Sequence, residues 1–476
     1  MIPAATHKLS RIALLALLGL AVSPLTSGCS ASEDSIAPPR DRLYHPAGLA
    51  VDPSGDWLYV ANANADLRYG NGSLVALDIK KADALIAAGP GGRPDYCTTS
   101  ALSPGTLLCD EENSDLLEKT STVRIGNFAG ELRYLPRPGG GRLITAVRGD
   151  PSVTWADVSV ASGKPVLTCA KTASSTTGLA TTCDETHRIT SVARVPATAS
   201  ATDDALRLPG EPFGLSIDET LELGYVTHLS TGHVTLLDLR GSLPAPLAID
   251  FRAGFFTANS AGDLTAYAVQ PRTPGNPDGL IYLTSRTAAR IATFRVTSAL
   301  PPPASEARTG SRLVPGPTFD LPAQFVATGS PADVRGIAFA DAGDRAYVLS
   351  RAPAQVMVLD TSIDAATGLP RNQLVDQIEV CAQPSLLRVR ESAAGTRVYV
   401  VCFAAGQVWV VDPGAARVVD VIDTGRGPNA IAIRETPTPR AYVANFVDAT
   451  ISVIDLAPGP TEHDVLMQIG TQVARP

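Results

Sequence analysis

Three side chains that could hold a divalent cation or trade a proton, His45, Glu211 and Asp333, stand at the same place in three copies of a repeated phrase. Carboxylates ligate hard cations, and a hydrolase needs both a ligand set and a base. Gln383 and Gly427 continue that column. A neighbouring column reads Ala47, Phe213, Arg335, Ser385 and Asn429, and a third reads Asn62, His228, Ser285, Ser350, Cys402 and Asn445. His45, Glu211, Asp333, Arg335, Gln383, Asn429 and His228 therefore make the candidate ligand site. Calcium is the ion such a set would take; no other cofactor is expected, and no residue is singled out as catalytic. The plainer alternative is a solvated rim of turn residues. No HExxH, CxxC or CxxCH motif points to zinc or covalent haem.

The phrase that positions these residues is clearest at 430–456, with strand patterns at 430–434, 440–445 and 450–456 separated by turn formers. It recurs at 48–79 and at 214–239. Three further copies between 263 and 422 and a weaker one at 131–160 bring the total to seven units, each with a looser fourth strand. Fourth strands are expected near 120–125, 187–195, 246–251, 312–319, 374–380, 417–422 and 464–469. Short twisted sheets that bury both faces pack radially, so the expected fold is all-β, a seven-bladed β-propeller of four-stranded antiparallel blades. The last blade closes on its own fourth strand, or on residues 42–44. Insertions at 80–119 and 161–186 break the phrase in adjacent blades. They are expected to form either one ordered protrusion for a partner or a lid over blade edges.

Tyr59–Asn62 and Tyr442–Asn445 both read Tyr-Val-Ala-Asn, and Val453-Ile-Asp follows the second. These resemble the YVTN-type β-propeller repeats. The other copies depart from the form, as in Tyr225-Val-Thr-His and Tyr399-Val-Val-Cys. The resemblance covers the chain from about residue 43 and implies the fold. The group includes surface-layer-like proteins and lactonase-like enzymes, so it leaves function open. The repeated tyrosines are read as fillers between blades, and the aspartates after the third strands (Asp78, Asp238, Asp360, Asp412, Asp455) as turn formers.

Residues 1–28 read as a secretory signal: Lys8 and Arg11, an apolar run at 12–22 too short to span a bilayer, then small residues before Cys29. The site resembles a bacterial lipoprotein signal, with Cys29 as the lipidated residue and Ser30 compatible with outer-membrane sorting. Residues 29–42 would be a flexible tether, and 43–476 the propeller. Export permits disulfides. Among the connectivities open to six cysteines, neighbour pairing (Cys97 with Cys109, Cys169 with Cys183, Cys381 with Cys402) closes the shortest loops. Net charge is −8 with no basic block, which excludes nucleic acid as the expected partner.

The expectation from sequence is a non-enzymatic envelope lipoprotein, periplasmic or surface-exposed. It would act as a protein-binding scaffold and accessory subunit of an envelope complex. The alternatives are a calcium-dependent, lactonase-like hydrolase at the channel mouth, or a carbohydrate-binding propeller with a polysaccharide partner. Trp57, Trp155 and Trp409 are the only tryptophans, so stacking platforms of that kind are scarce. Replacing Cys29 with alanine is expected to abolish palmitate labelling and move the protein from the membrane to the soluble fraction. Unchanged labelling would refute the anchor.

Overall fold

The second strand of each unit carries the pattern that makes the fold. In Trp57–Asn62, Leu58 and Val60 enter one core, while Trp57, Tyr59 and Ala61 enter another, following the two-residue period of extended chain. A strand buried on both sides needs a sheet against each face. The computed structural model describes residues 36–170, 180–193, 207–256, 265–303, 306–321 and 333–470. It meets that need with a ring of seven sheets. Seven hydrophobic clusters lie one in each interface between neighbouring sheets. Tyr59, Tyr225, Tyr282, Tyr347, Tyr399 and Tyr442 are all buried there.

Blades 3 to 6 run in simple order from the innermost to the outermost strand. The aspartates ending the third strands bond turn backbone, as expected. Asp412 accepts from the Gly414 and Ala415 N–H groups, both at 2.9 Å. Asp78 caps helix α1 (Ile79–Ala88) by accepting from the Lys81 N–H at 3.0 Å. Several also pair with the arginine that starts the second strand, as Arg345 does with Asp360 at 3.0 Å and Arg440 with Asp455.

Blade 2 departs from the expected layout. Its fourth strand is not at 187–195. Lys164–Thr168 returns directly along the third strand, Ser152–Ala161. The reason is the Ser162-Gly163 turn, whose φ values of 51° and 77° match the twist of a two-residue hairpin. Arg188–Ile189 then pairs with the other end of that third strand, through Thr154 and Val153.

The three disulfides are the neighbour pairs: Cys97–Cys109, Cys169–Cys183 and Cys381–Cys402. The insertions do not form a common protrusion. Each adds a strand to the edge of the preceding blade, which is the lid arrangement. From the second insertion, Thr181–Thr182 pairs in parallel with the outermost strand of blade 1, Val123–Ile125. From the first, the hairpin Cys97–Thr99 and Leu107–Cys109 crosses to blade 7, where Leu107, Leu108 and Cys109 pair in parallel with Met467, Gln468 and Ile469.

That crossing closes the ring. Blade 7 takes its fourth strand, Val465–Ile469, from its own unit, and residues 42–44 contribute no strand. The first and last blades therefore share no four-stranded sheet, and the hairpin joins them. The Thr106 hydroxyl donates to the Val465 carbonyl at 2.6 Å, and the Gly470 N–H to that of Cys109 at 3.0 Å. Asp83 on α1 pairs with the buried Arg434 of blade 7 at 2.7 Å. Leu107, Leu116 and Leu117 share one core with Leu58, Val75, Tyr442 and Met467. Replacing both Cys97 and Cys109 with alanine should cost about 2–4 kcal/mol of unfolding free energy. Hydrogen exchange should rise first in Pro46–Val51 and Val465–Ile469. An even rise over all blades would contradict a local clasp.

Candidate functional site

Six of the seven innermost strands begin with the same irregularity, the exception being Val269–Pro271 of blade 4. Register shifts fall at Pro46/Gly48, Ala129/Leu132, Pro212/Leu215, Val334/Gly336, Pro384/Leu386 and Pro428/Ala430. A bulge frees a residue from the ladder and re-aims its side chain. The freed residues Ala47, Phe213, Arg335, Ser385 and Asn429 all line one cavity at the ring's centre. The cavity measures about 270 Å³ and is lined by the innermost strands of six blades and, in blade 4, by Tyr267 and Ala268 just before that strand.

The preceding column does something different. His45, Glu211, Gln383 and Gly427 have φ of 51°, 49°, 56° and 65°, the left-handed region. There the chain turns into the first strand, and Gly427 is the residue best suited to it. The carbonyls are what recur. Those of His45, Glu211 and Gly427 accept from the N–H groups of Ala63, Leu229 and Phe446, each at 3.0 Å, and that of Asp333 from Arg351 at 2.7 Å. Their side chains diverge. His45 packs on Phe446 with ring centroids 5.0 Å apart, Glu211 is exposed, and Gln383 accepts from Arg351 at 2.6 Å. Asp333 is held by Arg335 at 2.6 Å and lies 3.7 Å from Arg286. Among the described residues no three His, Cys, Asp or Glu side chains converge as a metal site would require.

The column ending the second strands lashes down that same turn. Asn62 accepts from the Tyr44 N–H at 3.1 Å, and Cys402 is bonded to Cys381. His228 bridges the Gly210 carbonyl at 3.1 Å and the Thr235 hydroxyl at 2.8 Å. With its Nδ1–H donating to Gly210, Nε2 accepts from Thr235. His228 is fully buried and does not line the cavity. Cys29 lies outside the described residues.

The cavity's chemistry comes largely from residues the repeat pattern had not flagged. Glu131 of blade 2 accepts from Arg133 at 3.2 Å and, across the ring, from Arg388 of blade 6 at 3.1 Å. Its other oxygen accepts from the Leu215 N–H of blade 3 at 2.9 Å. Burial alone would push the Glu131 carboxyl up, but the two guanidinium groups and the Leu215 N–H outweigh it and hold the carboxyl below its ordinary value. Burial, reinforced by the like charge of Arg133, pulls Arg388 down. Phe128, Phe213, Tyr267, Phe403 and Phe446 give five blades an aromatic at the lining. Arg148 lies over Phe213 at 5.6 Å and Arg335 over Tyr267 at 5.0 Å.

A carboxylate with both oxygens already engaged is a weak base. Glu131 instead orients Arg133 and Arg388, and the assembly offers strong donors to oxygen atoms and to developing negative charge.

The burial of His228 pulls its pKa down to about 4, against about 6.5 for an exposed imidazole. The fold thus prefers the neutral ring. That stabilisation is intact above about pH 6.5 and is lost as pH falls towards 4, by an amount on the order of 3 kcal/mol. Urea unfolding between pH 7 and pH 4 should show this loss, and His228→Asn should flatten it. An unchanged slope in the variant would remove His228 as its source.

No family model and no curated protein matches the chain. Solved structures do. Hydrazine synthase of Kuenenia stuttgartiensis aligns with a TM-score of 0.51 at 12% identity, over 88% of this chain and 97% of that one. The periplasmic gluconolactonase PpgL of Pseudomonas aeruginosa aligns at 0.46 and 15% identity, over 81% and 87%. The β-propeller domain of Cps50 (Swd1) from Myceliophteria thermophila aligns at 0.49 and 12%, over 87% and 97%. At these identities the likeness is one of fold alone.

Proposed function

We propose that this chain works at its channel mouth, on a small oxygen-rich ligand of the sugar-lactone class. One observation carries the reading: all seven blades contribute residues to one central cavity, crossed by the Glu131–Arg388 ion pair. At about 270 Å³ it suits a small molecule. Guanidinium donors match hydroxyl, ring and carbonyl oxygens. The aromatic lining supplies apolar surface for the carbon skeleton. If a lactone carbonyl is attacked by water, Arg388 stands ready to stabilise the oxyanion, with Glu131 fixing its direction.

The expected calcium ligands do not fit this role. Asp333 is already neutralised by Arg335, and His45 and Glu211 recur for their backbone. No step is routed through a metal. The scaffold reading draws in part on the insertions, whose added strands pair within the molecule along the edges of blades 7 and 1. The envelope location and the Cys29 tether remain part of the proposal, supported by residues 1–42.

Calorimetric titration with glucono-1,5-lactone and with neutral monosaccharides tests the reading. One-to-one binding is expected, unaffected by EDTA. Arg388→Met and Glu131→Gln should each weaken it at least about tenfold, the effect of losing a charged hydrogen bond. Absence of binding to every compound, or full affinity in both variants, would overturn the reading.

A further inference from the structure

The charge of the cavity runs against that of the chain. The protein carries −8 overall. The charged residues lining the cavity are Glu131, Arg148, Arg335 and Arg388, and their direct ion-pair partners are Arg133 and Asp333. Four guanidinium groups therefore face two carboxylates, an excess of two positive charges in a walled space. Glu211 and Asp66, acids of the outer rim, do not line the cavity. Low-dielectric walls focus such a field on whatever enters.

One of the four arginines is distinct. Glu131 is shared between Arg133 and Arg388, and Asp333 pairs with Arg335. Arg148 has no carboxylate within ion-pair distance and no side-chain hydrogen bond among the described residues. What holds it is a stack. Arg148 lies over Phe213, Phe213 packs on Tyr267 with centroids 4.7 Å apart, and Arg335 lies over the far ring. At the other end Arg335 donates to the Tyr267 hydroxyl at 3.1 Å. The contact with the Phe213 ring uses none of the guanidinium N–H groups as hydrogen-bond donors, and an arginine can present such donors to a carboxylate in two-pronged geometry.

We propose that the ligand is an organic carboxylate, received at its acid group by Arg148 at the open end of the Arg148–Phe213–Tyr267–Arg335 stack. This rests on the reading of the channel mouth as the working site. It names the charged hydroxy acid, rather than the neutral lactone, as the preferred occupant. Phosphate offers a related anion, so the experiment carries both.

The test is a calorimetric comparison on the full-length protein with gluconate, succinate, inorganic phosphate and neutral glucose, at two salt concentrations. Gluconate should bind at least tenfold tighter than glucose and weaken as salt rises. Arg148→Met should abolish that preference, Arg148→Lys should restore part of it, and thermal unfolding should be unchanged in both. Phosphate binding tighter than either carboxylate would replace the proposed class. Glucose binding as well as gluconate, or Arg148→Met retaining the preference, would overturn the proposal while leaving the channel-mouth site standing. Succinate binding through Arg148 without any affinity for sugars or lactones would uphold the carboxylate and overturn the sugar-lactone reading. No binding by any of the four would overturn the carboxylate proposal, and the lactone titration would then decide the sugar-lactone reading by itself.

Discussion

A ring of sheets holds only if its first and last members are joined, and here that join rests on three paired residues. Leu107, Leu108 and Cys109 run along Met467, Gln468 and Ile469 at the outer edge of blade 7. Everything nearer the axis depends on it. Ala47 and Leu49 of blade 1 and Asn429 and Ile431 of blade 7 line the same cavity, so an open seam between those blades would leave it without a wall. The Cys97–Cys109 bond braces the joining hairpin, and the salt bridge from Asp83 to Arg434 ties the same insertion to blade 7 a second time. Exposed strand edges invite pairing with other chains, and the two insertions cover the edges of blades 7 and 1 from within.

The ring was legible because its requirement is written locally. A tyrosine in an apolar second strand, repeated in six of the seven units and buried in each, states that both faces of a sheet need a neighbour. The disulfides were legible for a similar reason, since short loops favour neighbour pairing. The joining hairpin was not. Strands of three residues carry too little pattern to announce a parallel pairing some 360 positions away in the chain. The fourth strand of blade 2 was misplaced because the Ser162-Gly163 turn was read as part of a loop.

The site was legible only in part. The Ala47 column lines the cavity, and the His45 column, a possible ligand set or a rim of turn residues by sequence, shares a left-handed turn to which Gly427 brings no side chain. Glu131 was missed because it was counted as an ordinary strand residue, although the bulge in blade 2 takes it out of the ladder. Arg388 lies across the ring from it, 257 residues along the chain, and no local spacing could connect them. In the cavity these charges work together. Glu131 fixes two guanidinium groups, the aromatic stack fixes a third, and the protein's negative charge elsewhere leaves the cavity as a local sink for anions.

The central claim is that the protein meets its ligand at the channel mouth and not at its insertions. A hydrogen-exchange difference map between the free protein and the protein saturated with gluconate tests this most directly. The account predicts protection in residues 128–133, 213–215 and 385–388, with none in 97–117 or 181–189. Protection confined to the insertions, with the innermost strands unchanged, would contradict it.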